Sequence, residues 1–137
     1  MRHFLAAAGL LLSIACAAPQ MVMAQTGLPQ QAMPSNPLPV AVLQGLDKIT
    51  ARITTFDAPI NQTVTFGRLQ ITVRACRKRP PEYPPENAAY LEIVEQVTGH
   101  DPVPRFHGWM FASSPALNPL EHPVYDVWVI DCKEWPR

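Results

Sequence analysis

TVTFGRLQITVRAC, residues 63–76, is the stretch whose pattern decides the fold. Gly67 and Arg68 make a two-residue loop with glycine first, the order a type II′ hairpin turn prefers. Closure there pairs Phe66 with Leu69 and Val64 with Ile71, so four apolar side chains share one face. Gln70, Thr72 and Arg74 take the other face, the period-2 alternation of a half-buried strand. Cys76 stands at the far end.

Working outward, residues 49–56 alternate Ile49, Ala51 and Ile53 against Thr50, Arg52 and Thr54, which predicts a strand. Residues 40–47 (VAVLQGLD) fit either a short strand or one helical turn, and residues 57–62 turn the chain into the hairpin. Past Cys76, RKRPPEYPPE (residues 77–86) removes backbone donors and fixes φ, so the sheet stops and an exposed polyproline II arm follows. A strand resumes at residues 89–94, with Ala89, Leu91 and Ile93 on one face and Tyr90 and Glu92 on the other. Residues 105–113 and 124–132 are apolar on both parities, a pattern of strands at the centre of a sheet or barrel. The loop between them, residues 114–123, is punctuated by proline, with one helical turn expected at 115–120. Five to six short, mainly antiparallel strands and no long helical period define an all-β domain, a small sandwich or a partly closed barrel.

Residues 1–24 have the anatomy of a secretory signal peptide. Arg2 supplies the positive charge, residues 5–18 are apolar, and Val22-Met23-Ala24 fits the small-residue cleavage rule. The rival reading is a lipoprotein anchored at Cys16, since Ser13-Ile14-Ala15-Cys16 loosely resembles a lipobox. Residues 25–39 (QTGLPQQAMPSNPLP) carry no charge and read as a flexible tether, leaving residues 40–137 as a single β domain. The apolar core of the leader is too short to span a bilayer, so no transmembrane helix is expected after cleavage. Losing Arg2 leaves ten basic against eleven acidic residues, a net charge of −1, which argues against a nucleic-acid partner. Two cysteines remain, an even count that suits an oxidising compartment, and Cys76 and Cys132 are expected to form one disulfide.

Chemistry-bearing residues are sparse. Arg74, Arg77, Lys78 and Arg79 form a dense basic cluster, suited to an anionic headgroup or an acidic partner. The same cluster also fits a solvated strand end that blunts a sheet edge, balanced by Glu82 and Glu86. Tyr83, set among prolines on the expected arm, reads as a partner-binding finger. Trp109, with Phe106, Phe111, Tyr125 and Trp128, either fills a small core or lines a cleft for a glycan or peptide. Arg74, Arg77, Lys78, Arg79, Tyr83 and Trp109 are therefore the candidate contacts for an envelope protein, lipid or glycan. His100, His107 and His122 stand at no metal-ligand spacing, no GxSxG is present, and no catalytic residue, metal or cofactor is assigned.

The segments FGRL, RACRKRPP, GWMFASSP and HPVYDVWV lie within a run from Leu43 to Cys132 that closely resembles the DUF2155 family of exported proteins from Gram-negative bacteria. That resemblance implies a periplasmic setting and transfers no catalytic residue. The reading is of a non-enzymatic binding module of the cell envelope. Its alternatives are a structural lipoprotein and an envelope enzyme acting on peptidoglycan or lipid through His107, His122 and an aspartate sharing one pocket. Mass spectrometry of the mature N-terminus separates the leader readings: a free Gln25 is the expected outcome, and a diacylated Cys16 makes the protein a lipoprotein.

Overall fold

The hairpin forms as its sequence dictates. In the computed structural model, which describes residues 34–137, Phe66 faces Leu69 and Val64 faces Ile71 across the Gly67-Arg68 loop. Gly67 has a φ of +57° while Arg68 stays out of the left-handed region, the combination a II′ loop needs. The described residues form eight strands: β1 (Asn36–Pro37), β2 (Val40–Asp47), β3 (Arg52–Pro59), β4 (Thr63–Phe66), β5 (Leu69–Lys78), β6 (Asn87–Glu95), β7 (Val103–Phe111) and β8 (Tyr125–Lys133).

Two antiparallel sheets result. In one, β5 is flanked by β6 and then β7, while its other side is covered by β4 along the first half and by β1 near the end. In the other, β2 lies between β3 and β8. The inward rows meet as a sandwich: Leu69, Ile71, Val73, Leu91 and Ile93 from the first sheet close on Ala41, Leu43, Val127 and Val129 from the second. Each buried aliphatic side chain of Val, Leu or Ile size contributes about 1.5–3 kcal/mol.

Several local expectations are corrected. Residues 40–47 are strand, because β3 and β8 pair with both sides of β2. The strand expected over 49–56 slides to Arg52–Pro59, since the Asp47 carboxylate accepts the amides of Ile49 (2.9 Å) and Thr50 (3.1 Å) and Ala51 turns at a φ of +54°. Turn chemistry at Asp47 overrides the alternation. Ile49 and Ile53 consequently face solvent (76% and 57% exposed), and the inward positions are Phe56 and Ala58.

Strands β7 and β8, expected at sheet centres, are both edges. Their second apolar parity is half-covered instead: Trp109 packs edge-on against Tyr90, and Trp128 shares a cleft with Pro115 and Pro119. Residues 115–120 make a turn closed by the Leu117 amide on the Ser114 carbonyl, not a helical turn. Residues 79–86 are a closed β5–β6 loop and not an extended arm; the Arg79 amide donates to the Glu86 carbonyl (3.0 Å) and that of Tyr83 to Pro80 (3.1 Å). The chain is already in the sheet at Asn36, before Val40, and the Leu38 amide donates to the Cys76 carbonyl (2.9 Å). The leader, the Cys16 lipobox reading and the tether up to Met33 fall outside the described residues.

Two bulges bring the cysteines inward. On β5, Val73 pairs with Leu91 and Ala75 with Tyr90, so Arg74 is the extra residue. On β8, Val129 pairs with Leu43 and Asp131 with Val42, so Ile130 is extra. Each bulge reverses the parity of its strand. Cys76 thereby joins the inward row of Val73, and Cys132 that of Val129. Their disulfide links the two sheets, with the Cα atoms 5.7 Å apart and a sequence separation of 56. Closing a loop of that length contributes roughly 4 kcal/mol in the chain-entropy account. The Cys76→Ser/Cys132→Ser variant is expected to lose about that much in urea unfolding; a loss under about 1 kcal/mol means the apolar core alone holds the sheets together.

Candidate functional site

At the end of the sandwich opposite the disulfide, β6 carries its inward row Ala89, Leu91, Ile93 one step further, to Glu95. This carboxylate is 3% exposed and joins three other elements. Its Oε1 accepts Arg68 Nε from the hairpin turn (3.0 Å) and lies 3.0 Å from Nη2 of the same guanidinium. Its Oε2 accepts Arg105 Nε from β7 (2.8 Å) and lies 3.1 Å from His122 Nε2 in the loop before β8. Arg105 is available because it is the bulge residue between the pairs Ile93–Phe106 and Val94–Pro104.

His122 is nearly sealed, its side chain 1% exposed. Its Nδ1 accepts the amides of Val124 (3.0 Å) and Tyr125 (3.1 Å), which places the proton of the neutral ring on Nε2. That Nε2 approaches Glu95 closely without the alignment of a hydrogen bond, and among the described residues it is the one buried side-chain nitrogen or oxygen left without a partner. The His122 ring tilts against Tyr125 at 5.2 Å, and the Arg68 guanidinium lies 5.7 Å over the Tyr125 ring. Tyr125 meets Phe66 edge-on and Phe66 stacks on Phe56, each pair at 5.6 Å. A Cβ on Gly67 would stand 2.5 Å from Tyr125, and one on Gly45 2.6 Å from Phe66, so both glycines make room for this closure.

His122, Arg105 and Arg68 hold the Glu95 carboxyl down to about 2 from its ordinary 4.5, against a burial that pushes it up. A depressed carboxyl adds stability that is fully present above about 4.5 and is lost as the pH falls towards about 2. In urea unfolding between pH 7 and pH 2.5, the wild-type midpoint is expected to fall across that window. Glu95→Gln should start lower at pH 7 and lack that part of the slope. Equal pH profiles for the two proteins would show that the carboxylate is not coupled to folding.

The disulfide end presents a different surface. Here β1, the end of β5 and the 79–86 loop enclose a cleft of about 460 Å³. Leu38, Pro80, Pro81, Tyr83 and Pro85 give it an apolar lining, while Lys78, Arg79, Glu86, Asn36 and Asn87 supply polar groups. Tyr83 is 39% exposed. The loop is held at its base, where Glu86 accepts the Asn87 amide (3.0 Å), the Ser113 amide (3.1 Å) and the Ser113 hydroxyl.

The basic cluster separates into two kinds. Arg74 is paired with Glu92 (2.9 Å) and Lys78 with Asp131 (2.8 Å). Arg77 reaches Ser35 Oγ (3.4 Å) and Arg79 the Pro84 carbonyl (3.5 Å); neither pairs with a carboxylate among the described residues. Trp109 lies on the outer face of its sheet against Tyr90 and lines none of these clefts. Among the other aromatics, Tyr125 is in the core and Phe106 packs on it, whereas Phe111 lines a small cleft with Arg77 and Arg79. His107 is exposed on β7 in an open cleft with Arg105 and Glu121, while His122 is turned inward to Glu95. Of the two histidines named for an envelope enzyme, His107 alone lines this cleft. Among the described residues, no group of three His, Cys, Asp or Glu side chains is placed to hold a metal ion, and no helix is long and apolar enough to cross a membrane.

The Glu95 closure escaped the pattern reading because Arg68, Glu95, Arg105 and His122 are scattered over 55 positions (122 − 68 + 1). One signal was present: Glu95 continues the alternating row of Ala89, Leu91 and Ile93, at a position where an unpaired charge is costly.

Residues 41–132 match the family described as uncharacterized proteins conserved in bacteria, DUF2155, and the chain belongs to it. It is 33% identical over 87 residues to an uncharacterized protein of Rickettsia prowazekii (strain Madrid E). The aligned part covers 64% of this chain and 56% of that protein, so the chain spans little more than half of its relative's length. No solved structure matches.

Proposed function

We propose that this DUF2155 protein is an exported, non-enzymatic binding module of the bacterial envelope, working in the periplasm. The cleft beside Tyr83 is its docking surface. Three observations support the reading. The first residues have the pattern of a secretory leader. The cysteine pair suits an oxidising compartment. The cleft combines an apolar lining with a rim of hydrogen-bonding groups, the composition of a recognition site. The cleft carries the proposal, because its aromatic side chain, Tyr83, is exposed and stands outside the core.

The experiment is site-specific photo-crosslinking in intact cells, followed by fractionation. A photoreactive residue at Tyr83 is expected to give a discrete adduct in the envelope or periplasmic fraction. The same residue at Thr98, in the turn at the other end of the sandwich, should give none. Replacing Pro80, Pro81, Pro84 and Pro85 with Gly and Ser in the crosslinking chain should abolish the adduct. Identical patterns from the two positions, or recovery of the protein in the cytosol, would overturn the proposal.

A further inference from the structure

Arg77 and Arg79 sit two residues apart, Arg77 on the outer face of the first sheet and Arg79 just past the end of β5. Together with Ser35, Glu86, Ala88 and Phe111 they line a second, smaller cleft of about 170 Å³. Residues two apart on an extended chain stand about 6.5–7 Å from each other, and here both arginines line the one cleft. Among the described residues, neither arginine of this pair is matched by a carboxylate. Arg74 and Lys78, on either side in sequence, each hold a carboxylate. Glu86 lines the cleft too, but its oxygens are engaged by the Asn87 and Ser113 amides and the Ser113 hydroxyl, not by Arg79.

An edge-protecting role does not account for these charges. At Arg77 the strand is internal: β1 pairs through Pro37 on one side and β6 through Ala88 on the other. No strand edge is left there for a charge to guard. Among the described residues, each guanidinium spends one N–H donor, on Ser35 or on Pro84, of the five it carries. A planar fork with free donors matches the oxygens of a phosphate group in bidentate fashion.

We propose that Arg77 and Arg79, with the Ser35 hydroxyl, form a binding site for a phosphate group. The group is carried either by a lipid headgroup or by a small soluble phosphate. This site does not depend on whether the cleft beside Tyr83 takes a partner.

The test follows the arginine Nε–H resonances of the purified full chain by NMR, titrated with inorganic phosphate at constant ionic strength in chloride. The Arg77 and Arg79 signals are expected to shift saturably while that of Arg74 stays still. Arg77→Gln and Arg79→Gln should each weaken the apparent affinity by about tenfold, the loss expected for one charge-assisted contact, and Arg74→Gln should leave it unchanged. Co-sedimentation with phosphatidylcholine vesicles, with and without phosphatidylglycerol, then assigns the source. Binding that needs the anionic lipid and both arginines identifies a headgroup, and phosphate binding without vesicle binding identifies a soluble ligand. Shifts that are linear in phosphate, or equal in wild type and the Arg77→Gln/Arg79→Gln double variant, would overturn the site. The melting temperature of each variant shows that an unchanged fold lies behind any loss.

Discussion

One covalent bond between two sheets constrains most of what surrounds it. Cys76 belongs to β5 and Cys132 to β8, and neither would face the core if its strand ran in regular alternation from Val73 or Val129. The bulges at Arg74 and Ile130 are therefore part of the same device as the disulfide. They rotate the last residues of each strand by one position, and in doing so they move the following side chains to new faces. On β5 the shift puts Lys78 within reach of Asp131 on β8 and leaves Arg77 on the outer face. The surface chemistry of this end is thus a consequence of how the cysteines reach each other.

The other end is closed without a covalent bond. A single carboxylate collects the hairpin turn, the end of β6, the edge strand β7 and the loop entering β8. Replacing a buried ionic cluster by apolar side chains is often neutral or stabilising, so its worth does not lie mainly in net energy. What Glu95 does supply is geometry. Arg68 reaches it only if the hairpin turns at Gly67, Arg105 only if β7 bulges, and His122 only if the loop folds back over the sheet end. A register slip in any of these would strand a charge in a buried position, which is heavily penalised. The closure therefore selects one register for several elements at once.

How much of this was legible follows from what each feature depends on. The hairpin at residues 63–76 is local: a glycine at the right turn position and a clean alternation decide it, and the structure reproduces its pairs. The all-β class is a sum of such local signals. The strand that alternation predicts at 49–56 starts instead at Arg52, because an aspartate that caps a turn and an alternating pattern compete over the same residues, and the turn wins. The edge positions of β7 and β8 depart from the pattern because apolar residues on both parities do not require a neighbouring strand on both sides. In a small sandwich, aromatic pairs such as Trp109–Tyr90 cover an edge strand's outer face equally well. The cysteine pairing was legible once Cys16 is set aside with the leader, but the bulges that permit it were not, since they are visible only once the partner strands are in register.

The basic cluster illustrates the same limit on the functional side. In sequence, Arg74, Arg77, Lys78 and Arg79 form one block of charge. The fold divides that block by geometry, because alternation and a bulge send neighbouring side chains to different faces with different partners. Two of the four become ordinary ion pairs that tie β5 to β6 and to β8. The other two are left with unspent donors beside an aromatic ring. A cation with a carboxylate partner is largely accounted for by the fold, whereas one held next to a second cation gains from an anion brought from outside. Charge density along the chain is therefore a poor guide to a binding surface, and charge left uncompensated after folding is a better one.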